Sequence, residues 1–321
     1  MKKAVTEPEL IAPFIKQQTH RIPRKILAES VTFYQKWRLP RQKPLIDDLR
    51  QENDYLLIIL DACRFDYFQE EYSDFLDGEL QPVFNTARDT FEYVQNVWPG
   101  YYDEVTYVSG ATPVNSVSEE FSDHHLEGLY DGYQPSEHID NIIDVWSTDW
   151  DTDLGVTPPE KVTEKSLQAA ADGSKVVAHY FQPHAPYIGK KELTTFKTGK
   201  DAEPLKGEPV NHEIWERMKQ GEISRAEQDR LYRSNLRRAL ETVKTLVQYT
   251  DFEKVVVTAD HGEALGEFGV YAHPRWLHHP SVRVVPWLEV KSSEDSDKKT
   301  SLRTKIYLRF EDILFFGQIL L

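Results

Sequence analysis

The chain reads as a layered α/β domain with a mostly parallel central sheet. Three observations support this. Short apolar runs rich in β-branched residues recur and end in polar or acidic positions. Stretches with helical periodicity lie between them. A length of 321 residues, 40% hydrophobic and 12% aromatic, is enough to bury a large core. No internal repeat is visible.

Residues 8–38 read as one or two helices broken near Pro23, ahead of the domain proper. The first strong strand is 55–60, an unbroken apolar run ending at Asp61, and a helix follows from about Phe65. Asp89 or Thr90 caps a helix beginning at Phe91, and strands are expected at 105–108 and 142–146. A helix over 160–171 precedes a strand over 175–181, then a surface excursion over 190–207 rich in Lys, Thr, Gly and Pro. The amphipathic run 224–249 is a long helix and the β-branched run 254–258 a buried strand. A last strand over 282–290 tolerates Pro286 only at an edge or a bulge. The polar run 291–300 reads as a linker, and 306–321, apolar and uncapped, as a docked terminal helix. The expected division is an amino-terminal helical extension over 1–50, a main domain over 51–290, and a linker with terminal segment over 291–321.

Lys plus Arg number 38 against 53 Asp plus Glu, so a formal charge of -15 disfavours general nucleic-acid binding. The acidity is spread along the chain, a solvation pattern like that of halophile proteins. A single cysteine, Cys63, excludes an intrachain disulfide and points to a reduced, cytoplasmic setting. No apolar stretch has bilayer-spanning length, and Met1-Lys2-Lys3 leads into polar residues rather than a signal core. The locally basic stretch 22–43 is a helix strapped across the acidic domain or, alternatively, a weak peripheral contact for an anionic membrane surface. Oligomeric state has no signature in the sequence.

Chemistry-bearing residues fall in four clusters. Asp61 ends a buried strand, where a carboxylate is costly to desolvate unless paired or metal-bound; a salt bridge to Arg64 is the plain alternative. Thr90 is a cap, a nucleophile or both, since a hydroxyl attacks phosphorus or sulfur near neutral pH only if deprotonated or bound to a cation. Thr112, at another expected helix start, is the rival hydroxyl. His184 stands between Pro183 and Pro186 in a rigid turn that aims an imidazole, or is merely structural. The run 255–263 carries adjacent Asp260 and His261 to a strand end at a glycine turn, and His273 follows after a short loop. There the plain alternative is an aspartate cap and a half-exposed histidine.

In this order, the strand-end acid, the hydroxyl at a helix start, Pro-His-Ala-Pro-Tyr at 183–187 and Thr-Ala-Asp-His-Gly-Glu at 258–263, followed by Leu-Gly-Glu and Tyr-Ala-His, resemble the sulfatase-like branch of the alkaline phosphatase superfamily. The resemblance spans about residues 54–290 and implies an alkaline-phosphatase-like three-layer α/β/α fold. It implies a divalent cation, zinc or manganese foremost with magnesium or calcium as alternatives, on Asp61, Thr90, Asp260 and His261. Thr90 followed by Phe91 looks like the metal-bound threonine of phosphodiesterase and phosphoethanolamine transferase members, which makes it the nucleophile. His184 and His273 match histidines that contact substrate or complete a second metal site. The Cys-x-Pro-x-Arg or Ser-x-Pro-x-Arg motif of formylglycine sulfatases does not occur, and Glu92 replaces the usual proline two positions after the nucleophile. The expected protein is a metal-dependent hydrolase or transferase acting on a phosphate, or else sulfate, ester of a small molecule, glycan or lipid. The alternative is a degenerate relative that binds a glycan, lipid headgroup or protein partner.

Overall fold

The computed structural model describes residues 32–33, 35–85, 87–116, 132–189 and 208–291. The helices expected before residue 32, the excursion over 190–207, and the linker and terminal helix beyond residue 291 lie outside the described residues.

The strands are β1 (Tyr55–Leu60), β2 (Gly78–Phe84), β3 (Tyr102–Ser109), β4 (Ile139–Asp144), β5 (Lys175–Tyr180), β6 (Lys254–Thr258), β7 (Ala264–Leu265), β8 (Tyr271–Ala272) and β9 (Val284–Val290). Seven of them form one sheet in the order β2-β9-β6-β1-β5-β3-β4, and β7 with β8 makes a separate ribbon. β1 runs parallel to both β5 and β6, and β3 runs parallel to β4 and β5. Within this sheet β9 introduces the antiparallel pairs, with β6 and β2.

All six residues of β1 are buried, which requires cover on both faces of the sheet. β5 shows what covers each face, because successive strand residues point to opposite sides. Tyr180 shares a hydrogen bond of 2.7 Å with Thr163 of the helix Pro159–Asp172, which packs on the long helix Arg225–Gln248. His179 points the other way, toward Tyr107, whose ring meets Trp98 just past the helix Thr90–Val97. That second layer also holds the helix Gln42–Leu49, packed on Thr90–Val97. The architecture is three-layer α/β/α. The parallel strands β1, β5 and β6 all end on one side of the sheet, where α/β folds place their ligands.

Several expected elements shift. The strand placed at 142–146 runs from Ile139 to Asp144, and Val145 and Trp146 begin a short helix, Val145–Thr148. β2 has no counterpart in the sequence reading, nor does the helix Glu208–Lys219. Thr112 lies in a turn, not at a helix start. Pro286 is at neither an edge nor a bulge: β9 is interior, between β2 and β6. Its register partner on β2 is Pro82, so neither residue has an amide to lose, as suits a non-hydrogen-bonded pair. On the other side the β6 ladder stops at Trp287, and the Pro286 carbonyl accepts from Thr258 Oγ1 at 2.7 Å. No helix among the described residues is long and apolar enough to cross a membrane.

Candidate metal centre and active site

The strand ends bring four of the residues singled out in the sequence into contact. Asp61 follows β1 directly, its amide donating to Tyr180 O at 3.0 Å. Asp260 and His261 follow β6 across the β1–β6 pair. Thr90 is the first residue of its helix, with Asp89 as the cap: Asp89 Oδ1 accepts the Glu92 amide at 2.8 Å. Asp260 joins these pieces. Its Oδ1 accepts the amides of Ala62 at 3.1 Å and His261 at 2.8 Å, and its Oδ2 accepts the Thr90 hydroxyl at 2.8 Å. Asp260 and His261 are fully buried, so the reading of an aspartate cap beside a half-exposed histidine does not hold. Arg64 does not pair with Asp61; its guanidinium is taken by Asp66 at 2.6 Å and Glu267 at 2.7 Å.

A fifth residue belongs here that the motifs did not indicate. His179, inside β5 and level with Ile59 of β1, places Nε2 3.7 Å from Asp260 Oδ2, while its Nδ1 meets the Tyr107 hydroxyl at 2.9 Å. Asp61, His179 and Asp260 each offer a donor atom within 4.8 Å of the others.

The fit of a cation can be judged from the donors. His261 Nδ1 lies 2.9 Å from Gly262 O, so Nδ1 carries the proton and Nε2 presents a lone pair. That nitrogen faces Asp61 Oδ1 at 3.4 Å and Asp260 Oδ2 at 3.5 Å. Donors about 2.0–2.2 Å from one tetrahedral ion lie roughly 3.3–3.6 Å from each other. Asp61 Oδ1, His179 Nε2 and His261 Nε2 are buried without a hydrogen-bond partner. Unmet polar atoms of this kind cost about 1–3 kcal/mol each, a heavy load against a domain's net stability of roughly 5–15 kcal/mol. Two carboxylates, two imidazoles and a hydroxyl form a mixed oxygen and nitrogen set suited to zinc or manganese.

Electrostatics follow the same arrangement. Burial, then Asp260 and Glu263, raise the Asp61 carboxyl well above the usual carboxylate range. Burial also acts on Asp260, but His261, His179 and the Thr90 hydroxyl outweigh it and hold that carboxyl low. One carboxylate thus keeps its charge while its neighbour resists taking one, as expected of two acids close together without a cation.

His184 and His273 form a second group at the rim, both half-buried. Their Nε2 atoms are 3.3 Å apart, and the His273 ring lies 4.2 Å from that of His261, centre to centre. His184 Nδ1 meets Ala185 O at 2.6 Å, so Nδ1 carries the proton and the Nε2 lone pair turns toward His273. Burial lowers the His184 imidazole to about 4, and burial with the neighbouring His261 and His184 holds His273 well below the usual histidine range, so both are neutral near pH 7. Glu92 is gripped by Arg88 at 2.7 Å rather than by Thr90. Thr112 makes no contact with the carboxylates among the interactions described; its carbonyl serves Asn115.

Fold and cluster define a class: an α/β/α domain whose strand ends gather a metal-type donor set beside a helix-borne hydroxyl. No protein-family model and no curated protein matches the sequence. Solved structures of phosphoethanolamine transferases, sulfatases and a phosphonate monoester hydrolase are similar to it in fold. The soluble domain of lipooligosaccharide phosphoethanolamine transferase A from Neisseria meningitidis is 14% identical, with 74% of this chain and 76% of that one covered and a TM-score of 0.49. The C-terminal periplasmic domain of EcEptC from Escherichia coli, in complex with zinc, is 14% identical, with 76% and 74% covered and a TM-score of 0.44. A phosphonate monoester hydrolase from Silicibacter pomeroyi is 11% identical, with 76% and 68% covered and a TM-score of 0.41.

Proposed function

We propose that this protein is a divalent-metal-dependent hydrolase or transferase of phosphate esters, with Thr90 as the nucleophile. The observation that carries the reading is the His261 Nε2 lone pair facing two carboxylate oxygens at 3.4 and 3.5 Å, the spacing of donors around one bound ion. Asp61, Asp260, His261 and His179 would hold the cation, with the Thr90 oxygen as a further donor; sequence reading had named all of these but His179. When bound, such a cation lowers the proton affinity of the hydroxyl and offsets charge on the ester's oxygens.

The remaining steps belong to the chain's own residues. Asp260 Oδ2 accepts the Thr90 hydroxyl at 2.8 Å and holds Oγ1 in place, and the hydroxyl gives its proton to solvent as Oγ1 forms a bond to phosphorus. The bond from phosphorus to the leaving oxygen breaks, its electron pair stays on that oxygen, and the oxygen takes a proton from solvent beside His184 and His273. Water or an acceptor hydroxyl then attacks the phosphothreonine and loses its proton to solvent, the bond from phosphorus to Oγ1 breaks with its electron pair left on Oγ1, and Oγ1 takes a proton back from solvent. Phosphate is favoured over sulfate because Cys63 lies outside a formylglycine motif and is buried.

The test is direct. After reconstitution with zinc or manganese the protein should hold about one ion per chain and cleave a bis-aryl phosphodiester. Thr90→Ala and Asp260→Asn should each lower turnover by at least about 100-fold, and Thr90→Ser should keep part of it. Metal content near zero, or activity untouched by both substitutions, would overturn the reading.

A further inference from the structure

Among the described residues four large apolar side chains are conspicuously exposed: Phe33 at 63%, Trp37 at 74%, Tyr101 at 63% and Trp276 at 54%. Tyr101 is satisfied elsewhere, its hydroxyl donating to Asp140 at 2.6 Å. The other three share one neighbourhood. Phe33 and Trp37 lie one helical turn apart with rings 6.1 Å from centre to centre. The residue before Phe33, Thr32, donates its hydroxyl to His278 O at 3.1 Å, which ties this helical turn to the loop carrying Trp276. The same loop begins at His273 of the site and is anchored to the nucleophile's helix by Arg275, whose Nε meets Asp89 Oδ2 at 2.6 Å.

The charge around these rings is opposite to that of the molecule. About one residue in six of this chain is acidic, yet residues 30–46 and 268–288 contain no Asp or Glu. Lys36, Arg38 and Arg41 are exposed on the first stretch beside Trp37. Exposed indole and phenyl rings flanked by long cationic side chains suit the layer where lipid phosphates meet acyl chains. A second copy of this chain, with a formal charge of -15, is the competing occupant of a basic margin, and the vesicle and dimer outcomes below separate the two.

We propose that the face formed by Phe33, Trp37 and Trp276 docks the protein on an anionic lipid bilayer and holds the His273 loop at the headgroup layer. This goes beyond the assignment of phosphate-ester chemistry and does not depend on it. The probe is the full chain sedimented with phosphatidylcholine vesicles containing roughly 30% phosphatidylglycerol, a content chosen to give a negative surface potential. Binding should exceed that to pure phosphatidylcholine by at least about 10-fold and weaken as salt is raised. Phe33→Ala with Trp37→Ala should lower binding by about 10-fold or more, and Lys36→Glu with Arg38→Glu by about 100-fold, without change in the far-ultraviolet spectrum. Asp260→Asn, which removes a proposed metal ligand, should bind vesicles as the parent does, so loss of chemistry and loss of docking are distinguishable. Equal affinity for neutral and anionic vesicles, no binding to either, or variants that bind like the parent would each overturn the proposal. So would a dimer that Phe33→Ala with Trp37→Ala dissociates in the absence of vesicle binding, since that result assigns the face to a second copy.

Discussion

Tyr107 and Asp260 stand on either side of the His179 imidazole, 2.9 Å from Nδ1 and 3.7 Å from Nε2. If the Tyr107 oxygen accepts Nδ1–H, then Nε2 is left free to serve the cation, the usual way an outer partner sets a ligand's tautomer. Tyr107→Phe removes one oxygen from a ring packed against Trp98 and so leaves the core shape intact. Zinc affinity, measured by competition with a chromogenic chelator, should fall about 10–100-fold, while an unchanged affinity would mean that His179 is not oriented from this side. His179 was not legible because Lys-Val-Val-Ala-His-Tyr reads as an ordinary buried strand in which a histidine is core. The signal that marks it is the parallel register of β5 against β1, which sets it level with Ile59, two residues before Asp61. Asp61, Asp260 and His261 were legible because each ends an apolar run, where burial of a charge needs a reason.

Two turns, one after β1 and one after β6, hold the site together. Ala62 adopts φ 58, a left-handed conformation that costs a non-glycine residue of order 1 kcal/mol or more, and it is held there by Asp260 on its amide and Tyr232 on its carbonyl at 2.7 Å. After β6, Gly262 is needed for close approach rather than for a special angle: a Cβ there would lie 2.0 Å from Ser281 O. Gly262→Ala must push the helix Pro280–Arg283 off the strand end and break the Gly262 amide bond to Val282 O, 2.9 Å. Its stability in urea should fall by about 1–3 kcal/mol, the usual range for overpacking, and a denaturation midpoint equal to the parent's would refute the close contact. The glycine was readable as a turn, but its partner at Ser281 was not, since the two are joined only through β9 folding back beside β6. β2 was missed for a related reason. Gly-Glu-Leu-Gln-Pro-Val-Phe has little strand pattern, and it becomes a strand because β9 offers it a ladder in which proline meets proline.

Across the whole molecule the formal charge of -15 opposes compaction, and acidic side chains far from the site repel one another through solvent. Screening should relieve this: the midpoint of thermal unfolding should rise as sodium chloride increases from about 0.01 to about 1 M, where the screening length falls from roughly 30 to 3 Å. A midpoint that stays flat or falls would show that the local ion pairs, such as Arg233 with Glu71 at 2.9 Å, already balance the charge. The amino-acid order alone accounts for the layered α/β class, the parallel core strands and the acids and histidine at their ends, because hydrophobic periodicity and the cost of burying charge act locally. Which distant residues meet is a different matter. Thr90 reaches Asp260, His184 meets His273, and His179 enters the cluster only because strands far apart in sequence pair in one register. The turn carrying Phe33 is likewise tied to the loop after His273 by a bond between residues 246 positions apart, Thr32 to His278 O. Register and packing are properties of the assembled sheet, and no local stretch of the chain encodes them.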